Sequence, residues 1–363
     1  MSMVSLPGLK ELIGNISKKR NLPKQAVQTA LREALLKPDK NEFGRMAAIQ
    51  TKQVLAQKLR DQERKMIQEE FQDLEGEVLQ ARVLRFEKQS IILAVSSSFG
   101  RPEVEAELPK KEQLPNDNYR ANATFKVYLK RVCEGSTRGP QLLASRADAG
   151  LVVYLFENEV PEIEDEIVRI VAVAREANPP SRYVGPRTKI AVDTLERDVD
   201  PVGACIGARG SRIQVVVNEL RGEKIDVIRW SPDPSTYISN SLSPARVDEV
   251  RLIDPEERRS HILVSEDQLS LAIGKEGQNV RLAARLTGWK IDIKDTDRYD
   301  HAEEDRKVAA EVYNRQALTE QEENRTEEPE IEVIENTFDK NFNEPDDYLE
   351  IDEDETEYPL ELT

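Results

Sequence analysis

A chain of 363 residues is long enough for two or three domains of ordinary size, and 33% charged against 38% hydrophobic residues describes surface-rich modules with small cores. No run of eighteen apolar residues exists, which excludes a helical membrane span, and the N-terminus lacks an apolar stretch ahead of a cleavage site, so a cytoplasmic location is expected. The net charge of −17 is local: residues 320–363 hold 19 acidic side chains against Arg325 and Lys340, while the other 319 residues carry 50 of each sign.

In chain order, Leu6 to Leu36 reads as two short helices. Leu9, Leu12, Ile13 and Ile16 give one apolar face, Ala26, Val27, Ala30, Leu31, Ala34 and Leu35 another, and Leu22-Pro23 separates them. Lys37-Pro38-Asp39-Lys40-Asn41 breaks the pattern. Arg45 to about Leu74 contains no Pro or Gly and reads as one long helix with a thin apolar stripe, suited to connecting modules or facing a partner.

From Gly76 the period changes to that of strands. Gly76 to Leu84, Ser90 to Val95 and Thr124 to Leu129 are β-rich, with Ser, Gly, Pro and Asn clusters between, and suggest a small barrel of the OB type. Phe86, Phe99, Phe125 and Tyr128 could stack bases there, or equally serve as core aromatics.

Residues 161–295 are α/β in character and contain a duplication. Ile206-Gly207-Ala208-Arg209-Gly210 precedes Leu220-Arg221-Gly222-Glu223-Lys224-Ile225-Asp226. Ile273-Gly274-Lys275-Glu276-Gly277 follows 67 residues after the first element, and Leu286-Thr287-Gly288-Trp289-Lys290-Ile291-Asp292 lies 66 after the second. Each copy reads strand, helix, G-x-x-G, helix, strand. The strands are Thr188 to Val192 and Ser260 to Val264, the helices Asp200 to Ile206, Ser211 to Leu220, Glu266 to Ile273 and Gln278 to Leu286, with Lys290 to Ile293 closing the second copy.

A G-x-x-G between two helices is the loop with which KH domains grip single-stranded nucleic acid. The glycines allow a tight turn and remove the Cβ atoms that would hold a phosphodiester away, and amides at the next helix start face the phosphate. The candidate RNA-binding residues are therefore Gly207, Ala208, Arg209, Gly210 and Arg212 in the first copy, and Gly274, Lys275, Glu276, Gly277, Arg281 and Arg285 in the second. Ile206, Ile213, Ile273 and Val280 would line a groove for bases. A chain with sixteen glycines is expected to hold about one such motif by chance, so the duplication carries the reading.

Trp230 and Trp289 read as packing residues, and His261 and His301, with no partner evident, as structural. Cys133 and Cys205 stand outside any metal-ligand spacing and read as reduced thiols. No carboxylate cluster, Walker loop or nucleophile–histidine pairing appears, so neither catalysis, metal nor cofactor is expected. The tail after about Arg315 has too little apolar content to offset ordering entropy and is expected to be disordered.

A barrel followed by two KH modules resembles the NusA family. The match is specific over Leu155 to Ile163, Asp200 to Gly210, Glu219 to Asp226 and Leu269 to Val280, and covers about Gly76 to Asp295. The resemblance implies an S1 barrel (76–147) and two type II KH domains (148–230 and 231–298) in a multi-domain α+β protein, to which the sequence pattern adds an N-terminal helical arm (1–75), a shortened polymerase-binding region, and an acidic, largely disordered tail (299–363). It implies a monomer that binds nascent single-stranded RNA and docks on RNA polymerase, with other Nus-type factors as further partners, and modulates pausing, termination and antitermination. The sequence departs from the family in a shortened stretch between Leu36 and Phe43, in a longer turn over Ala177 to Pro186, and in an acidic tail standing where some members carry acidic repeats. An RNA-processing protein or a ribosome-associated protein built from the same modules is the alternative.

Overall fold

The structure, a computed structural model, describes residues 9–36, 45–98, 101–133, 141–181, 183–303, 306 and 308–310. The first 301 residues form one compact unit; residues 302–363 are a second, in which the described residues are helical. The acidic tail, Phe99 and most of the shortened stretch lie outside the described residues.

Helices α1 (Leu9–Arg20) and α2 (Lys24–Leu36) meet at Pro23, where proline's missing amide costs nothing ahead of a helix. They pack Ile13, Leu22, Val27 and Ala30 against Leu59 of α3 (Arg45–Phe71). The thin stripe of α3 thus serves two modules: Leu59 holds the helical pair, and Phe71, fully buried, plugs the barrel.

The barrel closes in the order β1-β2-β3-β5-β4 from β1 (Val78–Phe86), β2 (Ser90–Val95), β3 (Val104–Pro109), β4 (Thr124–Val132) and β5 (Leu142–Ser145). Alternation sends Val83, Leu93, Leu108, Val127 and Leu129 inward. The outward Ile92 and Ala94 of β2 are buried as well. Across the strands they face Arg85, Glu107, Arg82 and Glu105, and the ion pairs Arg82–Glu103 and Arg85–Glu105 bridge that surface. This barrel face is a lattice of ion pairs over aliphatic groups. β5 escaped the sequence reading because it has only four residues; β3, as long as β2, was missed although Val104-Glu105-Ala106-Glu107-Leu108 alternates apolar and acidic residues.

Each KH module is helix, strand, strand, helix, helix, strand. The first comprises α4 (Ala149–Glu159), α5 (Pro161–Glu164), β6 (Val168–Glu176), β7 (Arg187–Thr194), α6 (Pro201–Ile206), α7 (Ser211–Glu219) and β8 (Lys224–Arg229). The second comprises α8 (Pro234–Ser241), β9 (Glu249–Asp254), β10 (Arg259–Val264), α9 (Glu266–Ile273), α10 (Gln278–Thr287) and β11 (Lys290–Asp295). In both sheets the middle strand pairs antiparallel with the first and parallel with the last. Aspartates begin the helices: Asp148, Asp200 and Asp233 each accept from amides of the first turn, and Pro201 and Pro234 follow two of them. The sequence frame lacked the leading helix and first strand of each module.

The modules share cores. One face of the first KH sheet packs on α4, α6 and α7, while Ala174, Ala191 and Ile228 on the other meet Tyr237 of α8 and Leu282 and Leu286 of α10. The long turn after β6 is a clamp: Asn178 donates to the carbonyls of Lys111 and Gln113 in the barrel, both at 2.8 Å, and Gly185 accepts from Gln278 of α10 at 3.0 Å. Cys205 is buried, and burial pushes its thiol up to about 12. Trp230 and Trp289 are packing residues. The histidines do have partners, contrary to expectation: the His261 Nδ1 lies 3.0 Å from the Tyr299 hydroxyl, and the His301 Nδ1 lies 3.0 Å from an Arg251 nitrogen. Both contacts span some forty residues or more of sequence, beyond the reach of local pattern.

Candidate nucleic-acid interface

The two glycine loops repeat one backbone conformation residue by residue. Gly207 (φ 73°, ψ 173°) matches Gly274 (75°, 174°), a region open essentially to glycine alone. Arg209 (57°, 26°) matches Glu276 (51°, 32°), both left-handed, and Gly210 (79°, 17°) matches Gly277 (72°, 15°). Identical turns at both copies mean that the duplicated spacing encodes a duplicated shape.

The glycines differ in what surrounds them. A Cβ on Gly207 would fall 2.7 Å from the Arg212 side chain, and one on Gly274 2.7 Å from the Asn279 Cβ and 2.9 Å from its backbone nitrogen. These first glycines are demanded by conformation and by packing. At Gly210 and Gly277 a Cβ would meet its nearest neighbours at 3.9 Å, an ordinary van der Waals contact, so the second glycines answer to their left-handed backbone alone. No side chain caps α7 or α10; the Ser211 and Gln278 amides donate back to the Ala208 and Lys275 carbonyls, and both helix starts present the positive end of their dipoles. A helix start of this kind can hold an anion by backbone donors and helix dipole.

The predicted side chains divide into two groups. Ala208, Arg209, Lys275, Glu276 and Arg285 are exposed, the first four within the loops and Arg285 on α10. Arg212 and Arg281 do not stand free beside the loops as the spacing suggested. Arg212 donates to the Ala204 carbonyl at 2.7 Å and to Glu162 at 2.8 Å, so it closes the end of α6. Arg281 donates to the Glu276 carbonyl at 3.2 Å and to both Glu176 oxygens at 3.0 and 3.1 Å, which ties the second loop to the first module. Long cations one helical turn from a glycine loop find nearer carboxylates first. Of the groove residues, Ile273 is 41% exposed, whereas Ile206, Ile213 and Val280 are half-buried.

The barrel aromatics separate in the same way. Phe125 packs into the barrel core edge-on to Tyr119, and Tyr128 packs against the first KH core beside Gly150. Phe86 is exposed. Among the described residues no group of three or more His, Cys, Asp or Glu could hold a metal, and no helix is long and apolar enough to cross a membrane.

Residues 146–230 match the family described as NusA-like first KH domain, and residues 234–301 match NusA-like second KH domain. The chain is 49% identical over 253 residues to the transcription termination/antitermination protein NusA of Halalkalibacterium halodurans, covering 70% of this chain and 62% of that protein. It is 47% identical to the Bacillus subtilis protein of the same name, over 70% of this chain and 64% of the other. The chain thus spans less than two thirds of the length of these relatives. With the Mycobacterium tuberculosis protein of that name the identity is 43% over 254 residues, 69% of this chain and 71% of the relative. A barrel, two tandem folds that match the NusA-type KH families, and 43% identity to a relative covered to 71% place the chain in the NusA family.

Proposed function

We propose that this chain binds nascent single-stranded RNA through its two glycine loops and acts as a monomer on bacterial RNA polymerase, modulating pausing, termination and antitermination. The observation that carries the reading is the residue-for-residue match of the two loops, each set directly before a helix that no side chain caps. The cations within reach of a phosphate are Arg209, Lys275 and Arg285, and Arg281 serves by holding the second loop in place. The helices of residues 1–75 are the part offered to polymerase, with other Nus-type factors as further partners. The relatives' names supply the transcriptional context.

The test is a fourfold variant, Ala208→Asp, Arg209→Asp, Lys275→Asp and Glu276→Asp. Aspartate tolerates the left-handed backbone at positions 209 and 276, so the loops keep their shape while the charge opposing phosphate rises. Affinity for single-stranded RNA should fall by about tenfold or more at low salt, and the salt dependence should flatten. Wild-type affinity in a variant with wild-type melting would remove the loops from the RNA contact. Addition of the intact chain should lengthen pauses of transcribing polymerase; unaltered pausing at saturating protein would reject the transcriptional reading.

A further inference from the structure

A cleft of about 520 Å³ opens where the barrel and both KH modules meet. Its wall includes Lys111 from the turn after β3, Arg175 and Glu176 from the end of β6, Asn178 from the clamp, and Arg281 and Arg285 from α10. Arg175 is neutralised by Glu223, which it contacts at 2.7 and 3.0 Å, and Arg281 by Glu176. Among the described residues neither Lys111 nor Arg285 has a carboxylate partner, so two uncompensated cations from different modules line one cavity. The walls are held in place. Asn178 fixes the Lys111 carbonyl, and Arg175 also donates to the Asp148 carbonyl at 2.6 Å.

We propose that this junction cleft is a phosphate subsite for the RNA strand, with Lys111 of the barrel and Arg285 of the second KH module as its cations. The inference rests on the RNA-binding reading of the glycine loops and extends it to a place outside them. Arg281 supplies the continuity, since the guanidinium that lines the cleft also holds the Glu276 carbonyl of the second loop. A strand seated on that loop therefore has the cleft beside it. The ion-paired barrel face around Ile92 lacks such a pair of free cations, and the strand reaches the barrel at Lys111 instead.

Lys111→Ala, Arg285→Ala and Lys110→Ala are compared with the intact chain in binding to a long single-stranded oligonucleotide across a salt series. Lys110 is the exposed neighbour that does not line the cleft. Loss of one phosphate contact to a single strand lowers the salt slope by about 0.7, so raising salt fourfold should narrow the gap between wild type and variant by about 2.6-fold. That loss is expected for Lys111→Ala and Arg285→Ala and not for Lys110→Ala. Equal slopes for Lys111→Ala and wild type, or an equal loss for Lys110→Ala, overturn the subsite. If the fourfold loop variant weakens RNA and Lys111→Ala does not, the subsite falls and the loop reading stands; if the loop variant binds as wild type, both fall. Pyrophosphate is the second probe: binding to wild type and not to Lys111→Ala, with an unchanged RNA slope, would assign the cleft to free phosphates and reject the strand.

Discussion

Arg146 and Asp117 form a forked ion pair at the seam between the barrel and the first KH module, with Nε and Nη2 reaching the two carboxylate oxygens at 2.8 and 3.1 Å. The side chains are 1% and 6% exposed. The remaining donors of Arg146 reach the carbonyls of Lys126 and Glu219 at 2.8 and 3.2 Å, and the guanidinium lies over the Phe125 ring. Every donor that burial would otherwise strand has an acceptor, and those acceptors come from two modules.

Arg146→Ala is expected to cost about 3–5 kcal/mol, because it leaves the buried Asp117 with only the exposed Arg221, 3.9 Å away, as its cation. Arg146→Lys should recover only part of this, since an ammonium cannot span both carboxylate oxygens and the two carbonyls. Urea unfolding measures both, and a loss under about 1 kcal/mol for the alanine variant would show the seam to be held elsewhere.

Alanine at the two first glycines should not be equivalent. Gly207→Ala and Gly274→Ala both place a Cβ in a glycine-only backbone region, at a cost of about 1–3 kcal/mol each. At Gly207 the neighbour is the flexible stem of Arg212, which can shift; at Gly274 it includes the Asn279 backbone, which cannot. Gly274→Ala should therefore be the more destabilising by about 1 kcal/mol, and thermal melts showing the reverse order would contradict the packing argument.

Two arginines three positions apart should behave oppositely. Arg209→Gln is expected to weaken RNA several-fold with little change in stability. Arg212→Gln should lower stability by about 1 kcal/mol and leave affinity within about twofold, because its donors are engaged by Ala204 and Glu162. Melting and RNA titration of both variants decide the matter.

Lys189 supplies a pH dependence. It is fully buried, and burial pushes its ammonium down to about 8 from 10.5 despite Asp226 at 3.1 Å; it also donates to the Ser243 carbonyl at 2.9 Å. Arg187 shares Asp226 and lowers Lys189 further. Between pH 8 and 10.5 the unfolded chain holds this proton and the folded one does not, so stability rises with pH across that window. Relative to Lys189→Met, the wild type should gain at most about 3 kcal/mol from pH 8 to pH 10.5. Unfolding curves whose difference is flat across that interval would refute the shift.

Much of this fold is legible along the chain because its signals are local. Proline at 23, the unbroken β-rich run over Ser90 to Val95, the aspartate caps, and above all the repeated glycines each act within a few residues. β5 is too short to carry such a signal and exists because neighbouring strands complete the closed barrel, whereas β3 does alternate over Val104 to Leu108 and was overlooked. The leading helices α4 and α8 fell outside the repeated stretch but within the domain bounds implied by the family resemblance, and the shared cores show what they pack against. The clamp at 177–186 was visible as extra length, but its purpose was not, since Lys111 and Gln278 lie 67 and 93 residues from their partners.

The order of residues alone gave the family resemblance, the barrel, the duplicated KH frame and the tight glycine turns, because backbone conformation at glycine and helix starts obeys short-range sterics. Which cations remain available to RNA was decided in three dimensions. Arg212 and Arg281 are drawn to Glu162 and Glu176, while Lys111 and Arg285 come together unpaired, since charge neutralisation depends on which carboxylates folding brings near.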